Sequence, residues 1–118
     1  RMNEDPRAEA SAEIFRRYLA LLDGCTHDPL EAHPRLSIAN LVWICEQGVA
    51  QAHVLPLDKI SRWLGFVQGC LAMRGLSDVD VERDETRPIF HRAYERCGII
   101  PPEPQAKDAG RPEPRQDI

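Results

Sequence analysis

Apolar residues recur at helical spacing in four stretches of the chain, and turn-forming residues separate these stretches. The first stretch runs from about Arg7 to Leu22, with Pro6 near its start and Gly24 as a stop signal. A Ser37 cap opens the second stretch, which has the most regular amphipathic pattern in the chain. Its apolar positions are Ile38, Leu41, Val42, Cys45, Val49 and Ala52. Each pattern predicts a helix that turns one face toward a core.

The third stretch runs from Pro56 to Arg74, and Gly75 is its expected terminator. This stretch is apolar on two opposite sides. One side is a wide stripe typical of a core-facing helix, formed by Ile60, Trp63, Leu64, Val67, Cys70 and Leu71. The opposite side carries small residues with larger apolar ones beside them, namely Gly65, Gly69, Ala72, Phe66 and Met73. A glycine inside a helix costs about 1 kcal/mol relative to alanine. Two of them indicate that another backbone or a ligand approaches this side closely.

The fourth stretch begins at Ser77-Asp78-Val79-Asp80, which resembles a capping box led by Ser77, and extends to Cys97. Gly98 is its expected terminator. Pro88 interrupts it, because proline lacks a backbone N–H and disfavours helical geometry at the preceding residue. We therefore expect a short helix from Asp78 to Glu85, a break or kink, and then a second helix. That second helix would bury Ile89, Phe90, Ala93, Tyr94 and Cys97.

The composition changes after residue 98. Five of the ten prolines follow, and residues 99–118 contain no aromatic side chain. Such a segment cannot bury enough apolar surface to offset the entropy of ordering it, so we expect an extended, mobile, Pro-rich tail. No stretch has the period of a β-strand. The sequence thus predicts an all-α, compact bundle of four to five helices with short connections over residues 1–98, followed by the tail.

The overall composition is that of a soluble globular domain and weighs against two kinds of partner. The chain has 118 residues, 42% hydrophobic and 29% charged, with a net charge of −4. A negative charge argues against binding to nucleic acid, and no apolar run approaches the roughly 18 residues that span a membrane. The cysteines have neither CxxC nor zinc-finger spacing, which favours reduced thiols and a cytoplasmic location over two disulfides. They are Cys25, Cys45, Cys70 and Cys97.

The second apolar side of the third helix has three interpretations. In the first, both central helices bury two sides within one chain. In the second, the second apolar side of the third helix is a surface for self-association or for a partner. In the third, it is a slot for a small ligand. Tryptophan and phenylalanine are favoured at interfaces, and small residues permit close approach. Trp43 similarly lies opposite the main stripe of the second helix. The predicted interface residues are Trp43, Gly65, Phe66, Gly69 and Met73.

Positively charged side chains recur every four residues along the fourth stretch, and two more lie on the exposed flank of the third. If these helices pack side by side, the charges could converge on a phosphate or carboxylate. The alternative is a solvated face that neighbouring acidic residues balance. The candidate anion-binding residues are Lys59, Arg62, Arg83, Arg87 and His91.

No catalytic residue, metal ligand or cofactor is predicted. Four metal-capable side chains lie close together (Cys25, His27, Asp28 and His33), but they lack the paired spacing of a zinc site, and an aspartate before proline suits a helix cap. Catalytic motifs such as GxSxG, the P-loop and HExxH are absent from the chain. A helix-turn-helix fits the short connections but lacks a basic recognition helix.

Two segments, Asp58-Lys-Ile-Ser-Arg-Trp-Leu-Gly-Phe-Val-Gln-Gly69 and Glu82-Arg-Asp-Glu-Thr-Arg-Pro-Ile-Phe-His91, resemble small helical accessory proteins of tailed bacteriophages and prophages. The resemblance covers about 35 residues and carries no assigned site. It implies a protein that binds a component of its bacterial host. We therefore predict a non-enzymatic interaction module that self-associates through helices two and three. The alternative is a protein or enzyme that binds an anionic small molecule or nucleotide.

Overall fold

The computed structural model describes residues 4–101 of the chain. It contains four helices, which we number α1 (Pro6–Asp23), α2 (Ile38–Gln51), α3 (Leu57–Met73) and α4 (Val79–Arg96). Within this range there is no β-strand, so the predicted all-α class is confirmed. The predicted tail lies almost wholly outside the described residues.

Side-chain caps define where the helices begin. The Asp5 carboxylate accepts a hydrogen bond from the Arg7 amide at 2.8 Å at the start of α1. Ser37 caps α2 as predicted, because its hydroxyl accepts from an amide at 3.2 Å. The cap of α4 is Asp78 and not Ser77. One Asp78 carboxylate oxygen accepts from two successive amides, at 3.0 Å each. A charged carboxylate is a stronger acceptor for these amides than the neutral hydroxyl of Ser77.

Two glycines end helices in the left-handed region. Gly75 has φ of 72° and Gly98 has φ of 71°, values that residues with a Cβ rarely adopt. Past Gly75, the Leu76 amide donates back to the Leu71 carbonyl at 2.9 Å, which satisfies one of the carbonyl groups at the end of α3. Both predicted terminators are thereby confirmed.

The predicted break at Pro88 is wrong, because α4 runs through this proline without interruption. Pro88 is exposed, whereas Thr86 and Ala93 of the same helix are buried. The proline ring therefore points to solvent. Packing of the opposite side holds the helix together despite the missing backbone hydrogen bond.

Replacing Pro88 with alanine will stabilise the fold. The substitution restores a backbone N–H inside α4, and we expect the free energy of unfolding to rise by about 2 kcal/mol. Urea unfolding measures this change. Glu95→Ala, at another exposed position of α4, is the control and should stay within about 0.5 kcal/mol of the wild type. A Pro88→Ala variant less stable than the wild type would contradict this account of α4.

Helix α1 is the centre of the bundle and contacts each of the other three helices. Its side chains Ile14, Phe15 and Tyr18 are fully buried. They meet the buried apolar residues of α2 and α3, which are Leu41, Cys45, Ile60, Leu64, Val67 and Leu71. Helix α4 packs chiefly on α1, and α3 packs on α2 and α1. This arrangement leaves a groove between α3 and α4, although they follow each other in the chain.

Helix α2 approaches α1 closely at Gly48. A Cβ built at this buried position would overlap the aromatic ring of Phe15. Phe15 is itself fully buried, so it has no free space into which to move. The packing of α1 on α2 therefore requires the absence of a side chain at Gly48.

Candidate functional site

Residues 4–101 leave the second apolar side of α3 uncovered. Cβ atoms built at Gly65 and Gly69 would meet no atom within 4 Å. Phe66 is 41% exposed and Met73 is 89% exposed. The interpretation that the bundle buries both sides of α3 is therefore wrong for the described part of the chain. This side of α3 therefore either faces water or is covered by atoms outside residues 4–101.

The exposed side of α3 forms one wall of an apolar groove with a volume of about 420 Å³. We call it the α3 groove. Its other wall is the connection between α1 and α2, which contributes Leu30 and Leu36. The residues that α3 and its C-terminal cap contribute are Gly65, Phe66, Gly69, Cys70, Met73 and Arg74. Four of the five predicted interface residues thus line a single groove.

An ion pair fixes the α1–α2 connection against the end of α3. Arg74 donates to the Asp28 carboxylate at 3.0 Å and also to the Leu36 backbone carbonyl. The Arg74 side chain is only 6% exposed. The same Asp28 carboxylate accepts from the Leu30 amide at 3.0 Å and the Ile38 amide at 2.8 Å. Asp28 therefore acts as a cap, as its sequence context predicted, and also as the anchor of the groove wall.

The environment of Asp28 makes the groove wall sensitive to acid. Burial by itself raises the pKa of Asp28, but the Ile38 and Leu30 amides and the Arg74 guanidinium together lower it below its ordinary value. A carboxyl group with a lowered folded-state pKa stabilises the fold above its unfolded-state pKa of about 3.9. This contribution is lost as the pH falls through the folded-state pKa.

We expect Asp28→Asn to unfold with a weaker dependence on acid than the wild type. The amide of asparagine has no charge to lose, so the part of the acid destabilisation that comes from Asp28 disappears. Urea midpoints at pH 6.5 and pH 3 measure it. Asp23→Asn, at an exposed position at the end of α1, should retain the wild-type difference between the two pH values. Equal acid sensitivity in the wild type and Asp28→Asn would contradict the role of Asp28.

Trp43 does not line the α3 groove. Its side chain is 54% exposed on α2, where Ala39 and Ala50 are exposed as well. This makes a second exposed apolar patch, which lies opposite the buried residues Leu41 and Cys45. The predicted interface residues are thus exposed as a group, but they divide between two surfaces.

Sequence reasoning missed the residues that complete the α3 groove. Leu30 and Leu36 lie in a connection, where apolar residues give no periodic signal, and Arg74 follows the last turn of α3. Ser61 was also missed. It is exposed four residues before Gly65, so small residues continue along α3 toward its N-terminus. The three-residue series at positions 61, 65 and 69 was visible in the sequence.

Four of the five candidate anion-binding residues have separate partners. The Lys59 amine lies 5.6 Å from the centre of the Trp63 ring. Arg62 and Arg83 form ion pairs with Asp58 at 3.9 Å and Asp80 at 3.5 Å. The His91 ring lies 6.0 Å from the Tyr94 ring, and Arg87 is half-buried on α4. Of these residues, Arg83 lines the groove between α3 and α4, so the structure spreads the candidates along two helices.

The cysteines are free thiols, and their surroundings make three of them poor nucleophiles. Burial raises the pKa of the Cys45 thiol to about 12. Burial also raises the pKa of Cys70, and burial with the Asp5 carboxylate raises that of Cys97. Thiolate is the reactive form, so a raised pKa lowers the reactive fraction of each of these thiols at neutral pH.

Two further features of the described residues bear on function. Among residues 4–101, no three metal-binding side chains come together at one point. None of the four helices is both long enough and apolar enough to cross a bilayer. The chain matches no known protein family, no curated protein and no solved structure.

Proposed function

We propose that this protein is a non-enzymatic, cytoplasmic interaction module whose copies associate through the α3 groove. The observation that carries the proposal is the exposed apolar side of α3, with Gly65 and Gly69 uncovered beside Phe66 and Met73. Such a surface costs free energy in water and is typical of a protein interface. Glycine within a helix adds to that cost unless a partner uses the space.

A second copy of the chain fits this surface because the surface is complementary to itself. It offers protruding side chains, Phe66 and Met73, beside a depression at Gly65 and Gly69. In a two-fold symmetric dimer, each copy presents the same patch, so it must contain both shapes. In our proposal two α3 helices pack antiparallel, with Gly65 of one copy against Gly69 of the other and Met73 near Ser61.

The surroundings of the α3 groove suit an interface with an apolar centre and a polar rim. Asp58 and Arg62, which lie two turns and one turn before Phe66, are 76% and 73% exposed. Charges at a rim stay hydrated and contribute little to affinity, whereas the apolar centre excludes water. The Asp28–Arg74 ion pair holds the opposite wall in place before association, which lowers the entropy that binding must overcome.

The phage-type resemblance extends the proposal to a host partner. In that extension the dimer binds a host protein, and the exposed Trp43 patch on α2 supplies a contact beyond the α3 groove. Tryptophan is a preferred anchor at protein interfaces. The raised pKa values of three thiols and the dispersed cations support a binding role over an enzymatic one.

Gly65→Leu and Gly69→Leu test the proposal. Each places a branched side chain where the second helix would lie, so we expect dimers of the wild type to become monomers at micromolar concentration. Sedimentation velocity measures the change. Ala20→Leu adds similar apolar bulk at an exposed position on α1, and this control should still dimerise. Leucine variants that dimerise as well as the wild type would refute the proposal.

A further inference from the structure

The groove between α3 and α4 is a second cavity, separate from the α3 groove and also about 420 Å³ in volume. This volume lies within the range of small-ligand sites. Its α3 wall is nearly flat, since it consists of Gly69 and Ala72 beside the longer Gln68. Its α4 wall includes the Phe90 ring. The remaining lining residues are Ser77, Val79, Glu82, Arg83 and Thr86.

A buried polar network forms the floor of this cavity. Gln68 donates to the Tyr18 hydroxyl at 2.9 Å, and Tyr18 is fully buried. Glu82, only 8% exposed, accepts from two nitrogens of Arg17 at 3.3 and 3.2 Å. The Thr86 hydroxyl donates to the Glu82 backbone carbonyl at 2.9 Å. The network joins α1, α3 and α4 beneath the groove and holds the Gln68 side chain in position.

Gln68 is the group that this network leaves available to a ligand. A glutamine amide has two N–H donors and one carbonyl acceptor. Within residues 4–101, one donor is used by Tyr18, and the structure gives the carbonyl oxygen no hydrogen-bond partner. The second N–H and the carbonyl therefore remain available as a donor and an acceptor on a residue that lines the groove.

The charged residues of the groove are already compensated. Arg17 neutralises Glu82 on the floor, and Arg83 pairs with Asp80 at the side. A neutral ligand consequently meets no uncompensated charge. Phe90 offers a planar apolar surface to an aromatic ring, opposite the small residues of α3.

We propose that the α3–α4 groove binds a neutral, planar heterocycle of nucleobase size whose edge carries an N–H donor beside an acceptor. Glutamine recognises such an edge with two hydrogen bonds, as it does for adenine. The ring would lie between Phe90 and the Gly69–Ala72 surface, with its donor on the Gln68 carbonyl. The two grooves share Gly69, but Ala72 lines only this groove and Gly65 lines only the other, so substitutions at these two positions separate ligand binding from self-association.

Titration of the full chain with adenosine, followed by NMR of the Gln68 side-chain amide, tests the inference. We expect saturable shifts of this amide. Purine riboside lacks the exocyclic amine and should bind about three- to tenfold more weakly, because the Gln68 carbonyl then stays unpaired. Ala72→Leu fills the groove and should abolish the shifts, whereas Gly65→Leu should retain them even as a monomer.

Three results would overturn the inference. One is the absence of saturable adenosine shifts at the Gln68 amide in the wild type. Another is equal affinity for adenosine and purine riboside, which would show that the exocyclic amine of the ligand does not bind the Gln68 carbonyl. The third is wild-type binding by Ala72→Leu, and Ala72→Met serves as a second groove-filling variant if Ala72→Leu fails to fold. Dimerisation is measured separately, so either proposal can fail alone.

Discussion

Gly48→Ala is expected to lower the free energy of unfolding by about 1–3 kcal/mol, although alanine is the better helix former. The new Cβ overlaps the ring of Phe15, which is fully buried in the core between α1 and α2. Either the ring must leave its preferred rotamer or the two helices must separate, and both changes disturb close packing. Urea or thermal unfolding of the purified protein measures the loss.

Gly65→Ala and Gly69→Ala are the matched controls, because they make the same change inside a helix. Both positions have open space where the Cβ would lie. We expect each to raise the stability of the monomer by roughly 0.5–1 kcal/mol, measured at a dilution where dimers dissociate. The account of the packing would be contradicted if Gly48→Ala proved as stable as these two variants.

Glu82→Ala is expected to lower the free energy of unfolding by about 2 kcal/mol. Breaking a buried ion pair costs about 3–5 kcal/mol when the remaining charge stays buried. Here the cost is smaller, because the Arg17 side chain is 37% exposed and keeps Glu85 as a partner at 2.9 Å. Burial raises the pKa of Tyr18, and its hydroxyl bonds to Gln68 and Glu82 beneath the α3–α4 groove. The variant therefore also removes a partner of Tyr18.

Glu85→Ala provides the comparison for Glu82→Ala. Glu85 is half exposed and pairs with the same arginine, so its loss should change stability by no more than about 0.5 kcal/mol. Chemical denaturation of both variants at neutral pH gives the difference. Equal effects would show that the Glu82 pair behaves like a surface pair, and the polar floor of the α3–α4 groove would then lose its structural role.

Local signals predicted most of the fold. Ser37, Gly75 and Gly98 mark helix ends through backbone chemistry that involves only neighbouring residues, and the structure confirms all three. The prediction of a break at Pro88 was wrong because the effect of this proline depends on a contact from outside the local sequence. Packing against α1 holds α4 together, and no pattern within the fourth stretch reports that contact.

The glycines show which features of the site the sequence alone does not predict. Gly48, Gly65 and Gly69 all lie inside helices and have similar sequence surroundings. The inference that a helical glycine permits close approach holds within the chain at Gly48. At Gly65 and Gly69 the described residues leave the space empty. The side of α3 and its exposed residues were predictable from periodicity, whereas the wall held by Asp28 and Arg74 depends on a contact between distant segments.

Sedimentation equilibrium of the wild-type protein tests the central claim, that the α3 groove is a surface between copies of this chain. The chain has a mass of 13.4 kDa. We predict a reversible increase to twice this mass as the concentration rises through the micromolar range. Substituting the exposed Met73 with aspartate should abolish the increase without unfolding the helices. A wild-type mass of 13.4 kDa at every concentration would contradict the account.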